Sequence, residues 1–177
     1  MKNKKNRAFI IVFALLFAAA LPLAGCTTQQ SSGAQLPNPV VEVENSAAFE
    51  KLGLSIDAPQ GATDVTYSII DDRLAQVQFS LNGASYTYRT AISDDENEDI
   101  SGVYEEFEEE ENAMSIDGAD WWAIIVVKTI KSGGYLASWQ YDKHLFTLYT
   151  PDQPEAEAFN ELATELAQSA YHSVYDK

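Results

Sequence analysis

The most regular pattern in the chain is a two-residue alternation of apolar and polar positions across "LAQVQFSLNGASYTYRTAI", Leu74 to Ile92. It folds back on itself at Asn82-Gly83, the pair preferred by a two-residue type I′ hairpin turn. With those two residues as the loop, Leu81 faces Ala84, Phe79 faces Tyr86 and Val77 faces Tyr88. Ala75, Val77, Phe79 and Leu81 then share one face with Tyr86, Tyr88 and Thr90. Gln76, Gln78 and Ser80 share the other with Ser85, Thr87 and Arg89. A one-residue slip would exchange the two faces, so the register is strongly specified.

The same period predicts further strands. Leu54–Ala58 reads as one, ended by Pro59 and Gly61, and Val65–Ile70 as another. In "IDGADWWAIIVVKTI", Ile116 to Ile130, both faces are apolar, which predicts a central strand covered on each side. Ser132-Gly133-Gly134 turns the chain into Tyr135–Tyr141, and Asp142-Lys143 turns it into Leu145–Thr150. Two segments change period. "SAAFEKL", Ser46–Leu52, predicts a short helix with Ser46 as N-cap, Glu50 near the capping-box position and Gly53 as its stop. From Pro154 to His172 the spacing is 3.6, with Asp152 the expected cap. Phe159, Leu162, Leu166 and Ala170 form one stripe beside Ala163 and Ala167, and Glu157, Glu161, Glu165 and Gln168 point away. Such a stripe needs a surface to cover. The expected fold is therefore α+β: an antiparallel sheet of about six to seven strands, a short N-terminal helix, and a C-terminal amphipathic helix packed on one face.

The N-terminus follows different rules. Lys2, Lys4, Lys5 and Arg7 precede an apolar run of 17 residues, Ala8 to Ala24, broken only by Pro22. This is the layout of a secretory signal, slightly short for a membrane-spanning helix. Leu23-Ala24-Gly25-Cys26 resembles a bacterial lipobox in all four positions, and Cys26 is the only cysteine. The resemblance implies a diacylglyceryl group on the Cys26 sulfur and cleavage before it. Residues 1–25 would then be a lipoprotein signal peptide. Acyl chains must replace the peptide anchor lost on cleavage, and two or more chains hold stably where one holds marginally. The competing reading is an ordinary secretory signal with an incidental cysteine. Residues 26–39, rich in Gln, Ser and Gly, read as a lipidated flexible tether spanning on the order of 20 Å. Residues 40–177 read as one α+β domain without disulfides. The expected location is the extracytoplasmic face of a bacterial cell membrane.

Charge then narrows the partners. The formal charge is −16, and removing the four signal cations leaves seven Lys and Arg against 27 Asp and Glu, or −20. Binding nucleic acid requires cations that displace counterions, so nucleic acid is excluded as a partner. A basic protein, a cationic peptide or a metal ion would be attracted, within a screening length of about 8–10 Å. Solubility alone is the competing explanation.

Two groups of residues could carry binding. "SDDENEDISGVYEEFEEEEN", Ser93 to Asn112, holds 11 carboxylates in 20 residues. Asp94, Asp95, Glu96, Glu98 and Asp99 are candidate ligands for weak calcium, which takes six to eight oxygens. An EF-hand frame fails, because Asp99 falls where glycine is required. The competing reading is a solvated loop with a frayed helical turn from Val103 to Glu110. The second group is aromatic: Trp121 and Trp122 point to opposite faces of a strand. The exposed one, with Tyr135, Trp139 and Tyr141, could form a platform for glycan or peptide; core packing is the alternative. His144 and His172 are the only histidines, and the sequence holds no HExxH, CxxC or GxSxG motif and no glycine-rich phosphate loop. No catalytic residue is assigned and no cofactor beyond the lipid is expected. Cell-wall hydrolysis of glycan or peptide, by a chance pair among the many carboxylates, is the enzymatic alternative.

The order of "LSIDAPQGATDVTYSII", "LAQVQFSLNGASYTYRT", "DISGVY", "SWQYDKHLFTLYT" and a closing amphipathic helix resembles small Firmicutes lipoproteins of unknown function. It is also similar to the extracytoplasmic C-terminal domain of unknown function carried by some anti-sigma-type proteins. The resemblance covers roughly Leu52 to Tyr171 and implies an outward-facing sensing or binding domain in a Gram-positive bacterium. It implies no catalytic residues. The regulatory role stays with those proteins, whose sigma-binding segment and transmembrane helix have no counterpart in this sequence.

Overall fold

Asn82 and Gly83 both adopt positive φ, 51° and 85°, as a type I′ turn requires. The strands they join, β3 (Leu74–Leu81) and β4 (Ala84–Ile92), pair Leu81 with Ala84, Phe79 with Tyr86 and Val77 with Tyr88. This is the register that the alternation demands. The structure, a computed structural model, describes residues 40–176. The signal peptide at 1–25, the tether at 26–39 and Cys26 lie outside the described residues.

Among the described residues the hairpin supplies the third and fourth strands of one eight-stranded, wholly antiparallel sheet. Its other strands are β1 (Val40–Val43), β2 (Thr63–Ile70), β5 (Phe107–Asp117), β6 (Trp122–Ile130), β7 (Tyr135–Tyr141) and β8 (His144–Thr150). The spatial order is β1-β2-β3-β4-β8-β7-β6-β5. Two four-stranded meanders thus meet through their last strands, Thr90 opposite Phe146. To start the second meander at the far edge, the chain between β4 and β5 must cross the whole second half of the sheet.

One face, called the front here, carries the main core. Val77, Phe79, Tyr88, Ile125, Trp139, Phe146 and Leu148 are buried on it. Helix α1 (Ala156–Tyr175) covers the second meander with its predicted stripe, Phe159, Leu162, Leu166 and Ala170, and with Ala163 and Ala167. The Tyr141 hydroxyl donates to the Ala167 carbonyl at 3.1 Å, and Tyr135 stacks on Phe159 at 5.1 Å. Residues 44–62 cover the first meander with Phe49, Leu54 and Ile56. Burying each such side chain stabilises by about 1.5–3 kcal/mol, and the front face holds the larger share of them.

Several expectations need correction. The sheet has eight strands rather than six or seven, because β1 and β5 were not foreseen. In β5 only Met114 and Ile116 reach the front core while Glu108–Glu111 are exposed, so the strand lacks a regular apolar face. The predicted helical turn at 103–110 is absent, and Phe107–Glu110 run as strand along the sheet edge. The predicted strand Ile116–Ile130 divides at Gly118–Trp121, where the Gly118 N–H donates to the Trp121 carbonyl at 2.8 Å. Leu54–Ala58 forms no strand. Leu54 and Ile56 alternate because they drop onto the sheet face, and the outer edge of β2 is already taken by β1. Ser46–Leu52 is a 3₁₀ helix capped by Asn45, whose side chain accepts from the Ala47 N–H at 3.1 Å. Gly53 ends it with φ 73°, as foreseen. Asp152 does not cap α1 but accepts from the Ser85 N–H at 2.7 Å, tying the first hairpin to the end of β8.

Candidate binding groove

The segment that leaves β4 crosses the back of the sheet instead of looping through solvent. Ile100 packs with Ala91 and Leu145, and Val103 packs with Ile130 and Leu136. Local turns shape it: the Asn97 N–H donates to Asp95 Oδ1 at 3.0 Å and the Ser101 N–H to Asp99 Oδ1 at 2.8 Å. The Val103 N–H donates to Ser101 Oγ at 3.1 Å. Side chains accepting from the backbone two residues on are the usual way a short polar loop holds its shape.

Arg89 anchors this crossing. Its Nε donates to Gln76 Oε1 at 2.8 Å, and its Nη1 donates to the carbonyls of Ile100 and Ser101. Gln76 in turn donates to Ser68 Oγ at 3.2 Å. A polar row on β2, β3 and β4 is thereby turned into a support for the loop. Burial pushes the Arg89 guanidinium down from its usual value, opposed by the nearby carboxylate of Asp99. Gly102, at φ 65°, lies so close to that guanidinium that a Cβ would overlap it.

Between the crossing and β5 the back face stays open. A groove of about 560 Å³ is bounded by residues 96–100 and by Phe107 and Glu111. Ile124, Val126, Leu136, Ser138, Gln140 and Thr147 lie along it. Beside it, Trp122, Ile124, Glu96, Gln140 and Asp142 line a shallower depression of about 310 Å³. Trp122 is 50 % exposed and Ile124 57 %. Two aliphatic or aromatic side chains this open, side by side and next to a concave surface, form the kind of patch that marks an interaction site.

The aromatic platform foreseen from the sequence is not assembled. Trp139 is 5 % exposed and Tyr141 1 %; Trp139 stacks between Tyr88 at 5.9 Å and Phe146 at 5.7 Å. Tyr135 is half-buried against Phe159, and Trp121 is half-buried over Gly118, where a Cβ would strike its indole. The physical reason is alternation: Tyr135, Trp139 and Tyr141 share the front face, which α1 seals. Trp122 is the one of the five that is largely exposed, and it meets Tyr141 edge-on at 6.2 Å.

The acidic candidates are placed one by one. Asp94 pairs with Lys143, whose hydrogen bond and charge hold its carboxyl below the usual range. Glu98 accepts from Arg73 at 2.6 Å and from Ser93 Oγ at 2.7 Å. Asp95 and Asp99 accept from the backbone as described, and Glu96 stands at the groove. Each turns to its own partner or to solvent. Among the described residues, no three Asp, Glu or His converge as a metal site would need. His172 Nδ1 lies 2.7 Å from Asp176 on α1, and His144 stacks on Phe146 at 6.5 Å.

The groove gathers Glu96, Glu98 and Asp99, and the depression beside it brings Trp122 to Glu96, so two candidates that the sequence keeps separate become neighbours. Ile124, Val126 and Arg89 went unrecognised. Gln76 opposite Arg89 follows from the hairpin register, but nothing local says that a loop from beyond β4 lies on that pair. Comparison with family models, curated proteins and solved structures finds no match to this chain.

Proposed function

We propose that the protein is a lipid-anchored, extracytoplasmic binding or sensing domain that holds a protein, peptide or cell-wall component in the back-face groove without transforming it. The groove, half apolar and rimmed by acids, is the observation that carries the binding part. Its volume lies within the roughly 300–1,000 Å³ of ordinary ligand sites. Support for the anchor is the Leu23-Ala24-Gly25-Cys26 pattern followed by a polar tether.

Mass spectrometry of the N-terminus from native membranes tests the anchor, with a diacylglyceryl-modified Cys26 expected and an unmodified N-terminus fatal to it. Incubation with wall fragments tests the non-catalytic part, since turnover would favour the hydrolase. The groove is tested by Ile124→Lys, which should abolish ligand retention while leaving the circular dichroism spectrum unchanged.

A further inference from the structure

We infer that the occupant of the groove is a cationic amphipathic peptide segment, with apolar side chains on Ile124 and Val126 and lysine or arginine against Glu96 and Asp99. The inference rests on the binding reading above and adds the chemistry of the ligand.

The floor selects for apolar contact. Ile124 is more than half exposed in the middle of a strand, and Val126 two residues on is partly so, where a solvated face would carry polar residues. The rim selects for charge. Of its acids, Glu111 is matched by Lys128 at 2.8 Å and Glu98 by Arg73 at 2.6 Å. Glu96 and Asp99 remain exposed at the rim, Asp99 with the Arg89 guanidinium also nearby, and the chain around them has a charge of −16. A site of this kind repels anionic lipid and wall phosphate. It also repels a second copy, which brings the same sign to the interface. A neutral glycan would use Trp122 and leave the acids without a role. A segment that alternates greasy and basic side chains uses both, and charge complementarity would speed its capture.

The test uses the full chain immobilised on a sensor surface and three synthetic peptides of equal length: Lys/Leu, Lys/Ser and Glu/Leu. Lys/Leu should bind and weaken as salt is raised. Lys/Ser should bind at least roughly tenfold more weakly, and Glu/Leu should not bind. Ile124→Lys should abolish Lys/Leu binding, Glu96→Gln should weaken it a few-fold, and Glu161→Lys on the outer face of α1 should leave it unchanged. Glu/Leu binding that depends on Ile124 would keep the groove as the site and overturn the charge of its ligand. Lys/Leu binding that ignores Ile124→Lys but falls with Glu161→Lys would overturn the inference and the groove together. Binding by none of the three overturns the inference. So does a concentration-dependent dimer that Ile124→Lys abolishes, which would make a second copy the occupant.

Discussion

The two faces of the sheet are built from alternate residues of the same strands, yet they serve different ends. On the front, Tyr88, Trp139 and Phe146 stack within a core sealed by α1 and by residues 44–62. On the back, the first meander presents the Ser68–Gln76–Arg89 row to a crossing loop, and the second presents Ile124 and Trp122 to solvent. Stability is concentrated on one side, which leaves side chains on the other without a packing role and open to an outside partner. The crossing loop links the two uses. Its apolar residues close small cores on the back, while its acids make the groove rim.

The contrast makes graded predictions. Truncation of the front core has the largest effect: Phe146→Ala should cost about 3–5 kcal/mol in denaturant unfolding. A loss under about 1 kcal/mol would mean that the front face is less closely packed than described. Next comes the anchor of the crossing. Arg89→Ala leaves Gln76 Oε1 and the carbonyls of Ile100 and Ser101 without their donor, at a cost of about 1–3 kcal/mol. Hydrogen exchange at Ser101 and Val103 should accelerate while that of β3 and β7 changes only with global stability. Unchanged exchange in the loop would show that Ile100 and Val103 hold it unaided.

A smaller effect concerns the front-side cover. Asp57 accepts from Tyr67 at 2.6 Å and from Ser46 at 2.7 Å. Burial raises the Asp57 carboxyl, but these bonds and the one from the Ala58 N–H outweigh it and leave the group below its usual value. Burial, then the bond to Asp57, pushes the Tyr67 phenol up to about 12. A raised phenol contributes stability that is whole below the unfolded value near 10 and declines as the pH climbs toward 12. The depressed carboxyl contributes above about 3.8 and is lost as the pH falls through its folded value. Stability measured against pH should therefore drop at both ends, and Tyr67→Phe should flatten the alkaline drop. An identical alkaline limb in the variant would assign it to another tyrosine. Least affected is the open side: Ile124→Ser should change stability by no more than about 0.5 kcal/mol, as befits a residue with little packing to lose. A large loss would show that Ile124 belongs to the core.

Legibility followed the range of the interaction. Leu74–Ile92 was readable in full, because a two-residue turn joins its strands and Asn82-Gly83 names the turn. The stripe of α1 was readable because one helix turn places its members together, and all six of its residues are buried. β5 was hidden: its Glu-rich half is exposed and is held in the sheet by the ladder to β6, which neighbouring residues do not announce. Trp139 and Tyr141 were placed on a platform because aromatic composition is visible and face assignment is not. Leu54 and Ile56 mimicked a strand because burial from one side imposes the same alternation whether or not backbone bonds follow.

The register of the Leu74–Ile92 hairpin, the amphipathic helix, the chain's strongly anionic character and the α+β class were therefore written in nearest-neighbour chemistry, where turn preference, period and charge act over a few residues. The strand order, the edge position of β5 and the path of residues 93–106 depend on contacts across the molecule. So does the meeting of Trp122, Ile124 and Glu96 in the depression beside the groove. Two meanders could join by any pair of their outer strands as far as local propensity is concerned; packing them through β4 and β8 is a choice made by the whole sheet, and that choice obliges the acidic crossing to pass over the back face.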